Sequence, residues 1–150
     1  MVLNIGTMRL TKKAEYAIRA MIALGRAGDQ PVTIQRIATS QGLPKKFLEQ
    51  ILLALKAQGL VESHAGPHGG YRLARPTESI SLADILNAVG DRLASRAGKR
   101  SRSSTGSSTL ETLLEDIRRC VSAKTRQISL AQLCENSTTE KQVEELMWYI

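Results

Sequence analysis

Aromatic residues are scarce in this sequence, with one Trp, three Tyr and one Phe among 150 residues. Tyr16, Phe47, Tyr71, Trp148 and Tyr149 are too few and too dispersed to build a stacking platform for single-stranded nucleic acid. Cysteine is scarcer still. Cys120 and Cys134 are too few for a disulfide framework or a four-thiolate metal site, so reduced thiols are expected. No apolar run approaches the ~20 residues that cross a bilayer, and the start MVLNIGTMRLTKK lacks a signal peptide's apolar stretch. These absences predict a cytoplasmic protein without a membrane partner. Catalytic patterns are missing as well: there is no nucleophile–base–acid set, no HExxH pair and no phosphate-cradling loop between a strand and a helix. The chain is therefore not expected to be an enzyme.

Positive charge is in excess. The net charge is +7, which suits a polyanionic partner. Residues 1–80 hold eleven Lys+Arg against five Asp+Glu, whereas residues 81–150 hold ten against nine. A nucleic-acid face is expected in the first half. An anionic membrane surface would attract the same charge, so local patterns must decide.

The segment from Thr11 to Gly25 repeats apolar residues at Ala14, Ala17, Ile18, Met21 and Ile22, which is helical spacing behind a capping Thr. Gly25 and Gly28, with Asp29 and Pro31, are expected to stop this helix. A shorter helix is predicted from the cap Thr33 through Ile34, Ile37 and Ala38 to Gly42, where a left-handed backbone suits glycine. After a tight turn, Pro44 suits the first position of a third helix, with Leu48, Ile51, Leu52 and Leu55 on its buried side and Gly59 at its end. Two short strands, LVES and YRLAR, flank the turn HAGPHGG and read as a hairpin. Ser81 opens a further helix, SLADILNAVGD, with Asp84 placed for a capping box.

From Arg92 to Thr109 the chain is rich in Ser, Gly, Thr, Arg and Lys, with no acidic or aromatic residue, and reads as a mobile basic loop. Its Arg96, Lys99, Arg100 and Arg102 either meet DNA phosphates or belong to a disordered, solubilising segment. A long helix from about Leu110 to Arg126 follows. Leu110, Leu113, Leu114, Ile117, Cys120 and Val121 share one side at near-heptad spacing, which suits pairing with another helix. Ser129 caps a short helix, SLAQLCEN, and a last amphipathic helix aligns Val143, Leu146, Met147 and Ile150. The expected organisation is a DNA-binding domain over 8–91, a flexible loop over 92–109 and a helical dimerisation region over 110–150.

Three helices, a short GLP break between the second and third, and a Gly-rich hairpin directly afterwards give the order of a winged helix-turn-helix. The expected fold class is mostly α, with a short β-hairpin wing and a long dimerisation helix. In such folds the third helix enters the major groove and the hairpin reaches for the backbone or minor groove. Lys45 and Lys46 fall in its first turn, Glu49 and Gln50 one turn on, and Lys56 further along. Lysines neutralise phosphates or donate to guanine, Gln pairs with adenine, and Glu accepts from a cytosine amino group. A merely solvated polar face is the alternative.

The stretches MRLTKKAEYAIRAMIAL, IQRIATSQGLPKKFLEQILLALKAQGLVES, AGPHGGYRLARP and ISLADILNAVGD closely resemble the Rrf-two family of transcription regulators, over roughly residues 8–135. The resemblance implies a homodimer, crossed through the long helix, that binds a palindromic operator in double-stranded DNA, with repression as the expected outcome. It places DNA contacts on Lys45, Lys46, Phe47, Glu49, Gln50 and Lys56, and on the wing around Gly66, Pro67, Gly69, Gly70 and Tyr71. Family members usually carry Arg just before the wing turn; Ala65 stands there in this chain, so the contact weakens or passes to His64 or His68. Cluster-binding members carry three cysteines after the SLADI helix, because thiolates hold iron–sulfur iron. The loop RLASRAGKRSRSSTGSST has none, and hydroxyls cannot replace such soft ligands. No iron–sulfur cluster, other cofactor or metal is expected, which places the chain with the cluster-free branch. DNA affinity would then answer to a small-molecule effector, a docked metabolic enzyme or thiol oxidation. Cys120 is either a small buried apolar residue or, facing its symmetry mate, a redox-active thiol; Cys134 takes the packing reading.

Overall fold

The computed structural model describes residues 10–91, 93 and 109–137. Helix α1 (Lys12–Ala27) starts where the Thr11 hydroxyl accepts from the Ala14 amide, satisfying one of the free donors of the first turn. It runs past Gly25, where the sequence predicted a stop, and ends at Gly28. The reason is packing. A Cβ on Gly25 would lie 2.8 Å from Cys134 Sγ, so this glycine marks a close approach between two helices inside an unbroken α1.

Helix α2 (Ile34–Gln41) is capped by the Thr33 hydroxyl and closes at Gly42, whose φ of 63° puts it in the left-handed region. The amide of Leu43 returns to the Ala38 carbonyl, and Leu43 itself is buried, which fixes the turn into α3 (Lys45–Ala57). Pro44 serves as the N-cap of α3, one position before the place predicted for it. The hairpin pairs β1 (Val61–His64) with β2 (Gly70–Leu73) in antiparallel register, Val61 opposite Leu73 and His64 opposite Gly70. Val32 adds an isolated bridge to Tyr71, with both backbone hydrogen bonds at 2.8 Å. The wing is thereby tied to the segment that leads into α2.

Ala14, Ala17 and Ala20 on α1 are fully buried, and their small side chains let α3 and α4 (Leu82–Ala88) pack closely on that helix. Met21, Leu24, Ile37, Leu48, Ile51, Leu52, Leu55, Ile80, Ile85 and Leu86 fill the core between them. The capping box expected at α4 is present in both directions: Asp84 N donates to Ser81 Oγ and Ser81 N to the Asp84 carboxylate.

Helix α5 (Thr109–Gln127) packs chiefly on α4. The chain then returns to the body. Ser129 bridges Ser81, with Leu82 N bonded to Ile128 O and Leu130 N to Ile80 O. A helix α6, described over 130–137, follows; Leu130 is fully buried, and Leu133 and Cys134 pack against the core. Residues 128–137 thus pack against the body formed by α1–α4 and the hairpin, within the stretch 110–150 that the sequence set apart as a helical region. Burial pushes the Cys134 thiol above its ordinary pKa, against thiolate formation, with Arg26 opposing the shift only in part. The loop expected over 92–109, save Leu93 and Thr109, and the terminal helix through Val143, Leu146, Met147 and Ile150 lie outside the described residues.

Asp91, which sequence reasoning did not single out, closes the body. Its carboxylate accepts from Thr11 N, Thr11 Oγ1 and Leu93 N, joining the start of α1 to the segment after α4. Burial alone would raise its pKa, but the bonds from Leu93 and Thr11 outweigh that cost and hold the carboxyl below its usual value. Asp91→Ala removes the buried acceptor of these three hydrogen bonds and is expected to cost about 2 kcal/mol in urea unfolding. A lowered native pKa means that the ionisation-dependent stabilisation is complete above the unfolded-state value and disappears as pH falls through the native one. The wild-type protein should therefore lose its advantage over Asp91→Asn below about pH 4. A constant difference down to pH 2 would contradict this assignment.

Candidate nucleic-acid interface

The start of α2, the start of α3 and the wing surround one open concavity of about 420 Å³. Lys45 and Glu49 of α3, Thr33, Ile34 and Gln35 at the α2 start, and Ser63, His64, Gly66, Gly69, Gly70 and Tyr71 of the hairpin line it. Seven of the predicted contact residues therefore meet at one place, although up to 26 positions separate them in sequence. Thr33 and Gln35 were missed. The signal for them was the Thr33 cap, because a capped helix start directs its first side chains and amides toward whatever faces that end.

Lys45, Lys46, Glu49, Gln50 and Lys56 are all exposed along the outer side of α3. Neither Lys45 nor Lys46 takes part in an ion pair among the described residues, so both ammonium groups are available to a polyanion. Lys56 Nζ donates to Ser63 Oγ at 2.6 Å, linking the last turns of α3 to β1. Phe47 is half-buried and meets Tyr16 edge-on, with ring centroids 5.6 Å apart. It seats the first turn of α3 on α1, which sets the angle at which the neighbouring lysines project.

The stem of the wing has its own charged cluster. Arg72 Nε donates to Glu62 Oε1, and His64 Nε2 lies 3.0 Å from the same oxygen. Arg72 and then His64 hold the Glu62 carboxyl below its ordinary pKa. His64 consequently sits at the mouth of the concavity but leans on Glu62, while His68 is exposed at the tip with Pro67. The tip is tight: Gly69 N bonds to Gly66 O, and a Cβ on Gly69 would fall on the His64 carbonyl.

On α5 the apolar stripe faces outward. Leu110, Leu113, Leu114 and Ile117 are each more than a third exposed, Cys120 is exposed and Val121 half-buried. Cys120 is therefore not buried by the described residues, as one of the two readings of that thiol required.

Three core helices, a glycine-closed turn before an outward-facing third helix, and a hairpin tied beside it define a winged-helix transcription regulator. A family model described as an iron-dependent transcriptional regulator, Rrf2, matches residues 10–136. The chain belongs to the Rrf2 family. It is 47% identical over 89 residues to the putative HTH-type transcriptional regulator Rv1287 of Mycobacterium tuberculosis, an overlap of 59% of this chain and 55% of that one. The chain thus spans about half the length of this relative. The HTH-type transcriptional regulator IscR of Yersinia pestis is 34% identical over 132 residues, covering 86% of this chain and 80% of that protein. Among solved structures, T. potens IscR superposes with a TM-score of 0.74 at 27% identity, over 88% of this chain and 90% of that one. These relatives are transcription regulators, and no catalytic family is indicated.

The family description raises the question of iron. Cys134 is packed beside Gly25 on α1, and Cys120 is exposed on α5. Among the described residues, no group of three or more His, Cys, Asp or Glu side chains could hold a metal ion, and residues 92–109 contain none of these four types. This donor set does not fit an iron–sulfur cluster. No helix among the described residues is long and apolar enough to cross a membrane.

Proposed function

We propose that the protein is a cytoplasmic, sequence-specific DNA-binding repressor that acts as a homodimer on a palindromic operator without an iron–sulfur cluster. The observation that carries this reading is the convergence of Lys45 and Glu49 on α3 and the glycine-rich wing around one open concavity, with Lys46 exposed next to Lys45 and neither lysine in an ion pair among the described residues. Cations that no carboxylate neutralises supply affinity for phosphates, and Glu49 and Gln50 supply hydrogen bonds to base edges. The outward apolar stripe of α5 supports the dimer: a second copy laid along it would take four large apolar side chains in one row out of water. Two-fold pairing through α5 would set two copies of α3 to read two half-sites related by the same symmetry.

Cys120 carries a second reading. It is exposed on the stripe that a second chain would cover, so oxidation there would act on the dimer itself.

The test is selection of duplexes from random-sequence DNA by the purified full chain, followed by titration of selected and scrambled duplexes at physiological salt. A preference of about a thousandfold or more, with two protein chains per palindromic duplex, is expected. Equal affinity for both duplexes would refute sequence-specific recognition.

A further inference from the structure

Leu53 is 60% exposed, the highest value for any large apolar side chain among the described residues. The other exposed ones, Leu10, Leu110, Leu113, Leu114 and Ile117, precede α1 or lie on α5. A single exposed leucine is ordinary on a protein surface. The position of this one is not. At 3.6 residues per turn, Leu53 falls at the middle of the exposed side of α3, opposite the buried line of Leu48, Ile51 and Leu55. Lys46 and Gln50 flank it on one side, Glu49 and Lys56 on the other. An amphipathic helix ordinarily carries a polar residue there.

We infer that Leu53 is a specificity-determining residue that reads the C5-methyl group of a thymine in the major groove. The inference rests on the DNA-binding reading of α3 and deepens it. Base edges in that groove present hydrogen-bonding groups and one apolar group, the thymine methyl. Leu53 has no side-chain donor or acceptor, so a helix lying in the groove gains from this side chain only where a methyl meets it. Glu49 and Gln50 precede it by four and three residues, a rise of roughly 5 Å, or between one and two base-pair steps of about 3.4 Å. The thymine therefore lies adjacent to, or one pair beyond, the bases that Glu49 and Gln50 meet.

The experiment uses the full chain and the duplex it enriches from random-sequence DNA. Each thymine of that duplex is replaced in turn by deoxyuridine, which lacks only the methyl. Deoxyuridine at one position in each half-site is expected to weaken wild-type binding about fourfold per methyl removed. Leu53→Ala should weaken binding to the thymine duplex by at least that factor and be indifferent to deoxyuridine at the same position. Leu53→Met should keep the sensitivity. Because Leu53 is exposed and alanine favours helices, circular dichroism should show both variants folded as the wild type. Enrichment of a defined site with no thymine whose methyl effect depends on residue 53 overturns this inference and leaves the DNA-binding reading standing. Loss of an unrelated property, such as dimer formation, with unchanged DNA affinity would assign Leu53 to a protein contact and overturn it too. Failure to enrich any sequence refutes the DNA-binding reading itself, and this inference with it.

Discussion

Gly70→Ala is expected to lower stability by about 3 kcal/mol or more and to detach the wing from the segment leading into α2. Two separate costs fall on this one position. Its φ of 150° lies where side chains strain the backbone, and a Cβ there would stand 2.5 Å from both the carbonyl carbon and oxygen of Val32. Neither atom can swing aside, because Val32 and Tyr71 exchange two backbone hydrogen bonds across this contact. Gly66→Ala separates the costs: Gly66 also has positive φ, 112°, but nothing lies within 4 Å of the place a Cβ would take. It should cost about 1 kcal/mol, from strain alone. Urea unfolding of both variants, with hydrogen exchange at the Val32 and Tyr71 amides, makes the comparison. Equal losses in the two would show that close approach does not dictate the glycine at 70. Detaching the wing displaces Tyr71 from Thr33 and Lys45 across the concavity, so Gly70→Ala should also weaken DNA binding, whereas Gly66→Ala, at a position that lines the same concavity but leaves the Val32–Tyr71 bridge intact, should retain most of it.

The second large effect separates affinity from sequence reading on α3. Lys45 and Lys46 have no carboxylate partner among the described residues, so each can displace a counterion from a phosphate. Lys45→Gln with Lys46→Gln removes two cations from each chain, four from the proposed dimer. The slope of log affinity against log salt should become shallower by up to about 3.6, at ~0.9 for each phosphate neutralised, and selected and scrambled duplexes should weaken together. Glu49→Ala or Gln50→Ala should leave that slope nearly unchanged and relax discrimination at specific base pairs, by about 1–3 kcal/mol for each base that is no longer read. Titrations at several salt concentrations on both duplexes distinguish the two classes. A lysine pair that altered base preference without changing the salt slope would reverse these roles.

Much of the fold follows from local signals. Thr11, Thr33 and Ser81 each cap the helix that follows, and Gly42 closes α2 at the predicted residue, because capping involves groups only three or four positions apart. The hairpin is legible for the same reason. The period of α3 correctly puts Leu48, Ile51, Leu52 and Leu55 on its buried side, and it also leaves Leu53 on the opposite side, a signal present in the sequence but not taken up. Gly25 is not the stop that the sequence predicts. Local rules treat an internal glycine as a helix breaker, whereas in this fold Cys134, 109 residues later, needs the space that a Cβ would fill.

Of the interface, the sequence supplied the residue types, Lys45, Lys46, Glu49, Gln50 and the wing glycines, and their assignment to a third helix and a turn. It did not show that Thr33 and Gln35 line the same concavity, that Lys56 reaches Ser63, or that His64 leans on Glu62. These contacts arise where separate elements meet, so no periodicity encodes them. The same division holds throughout the molecule. Caps, turns, amphipathic faces and excess positive charge were determined by the sequence alone, because each depends on neighbours along the chain or on composition. The Thr11–Asp91 clasp, the return of residues 128–137 to the body and the close contact of Gly70 with Val32 were decided only by the tertiary structure, because each joins groups brought together by burial of the common core.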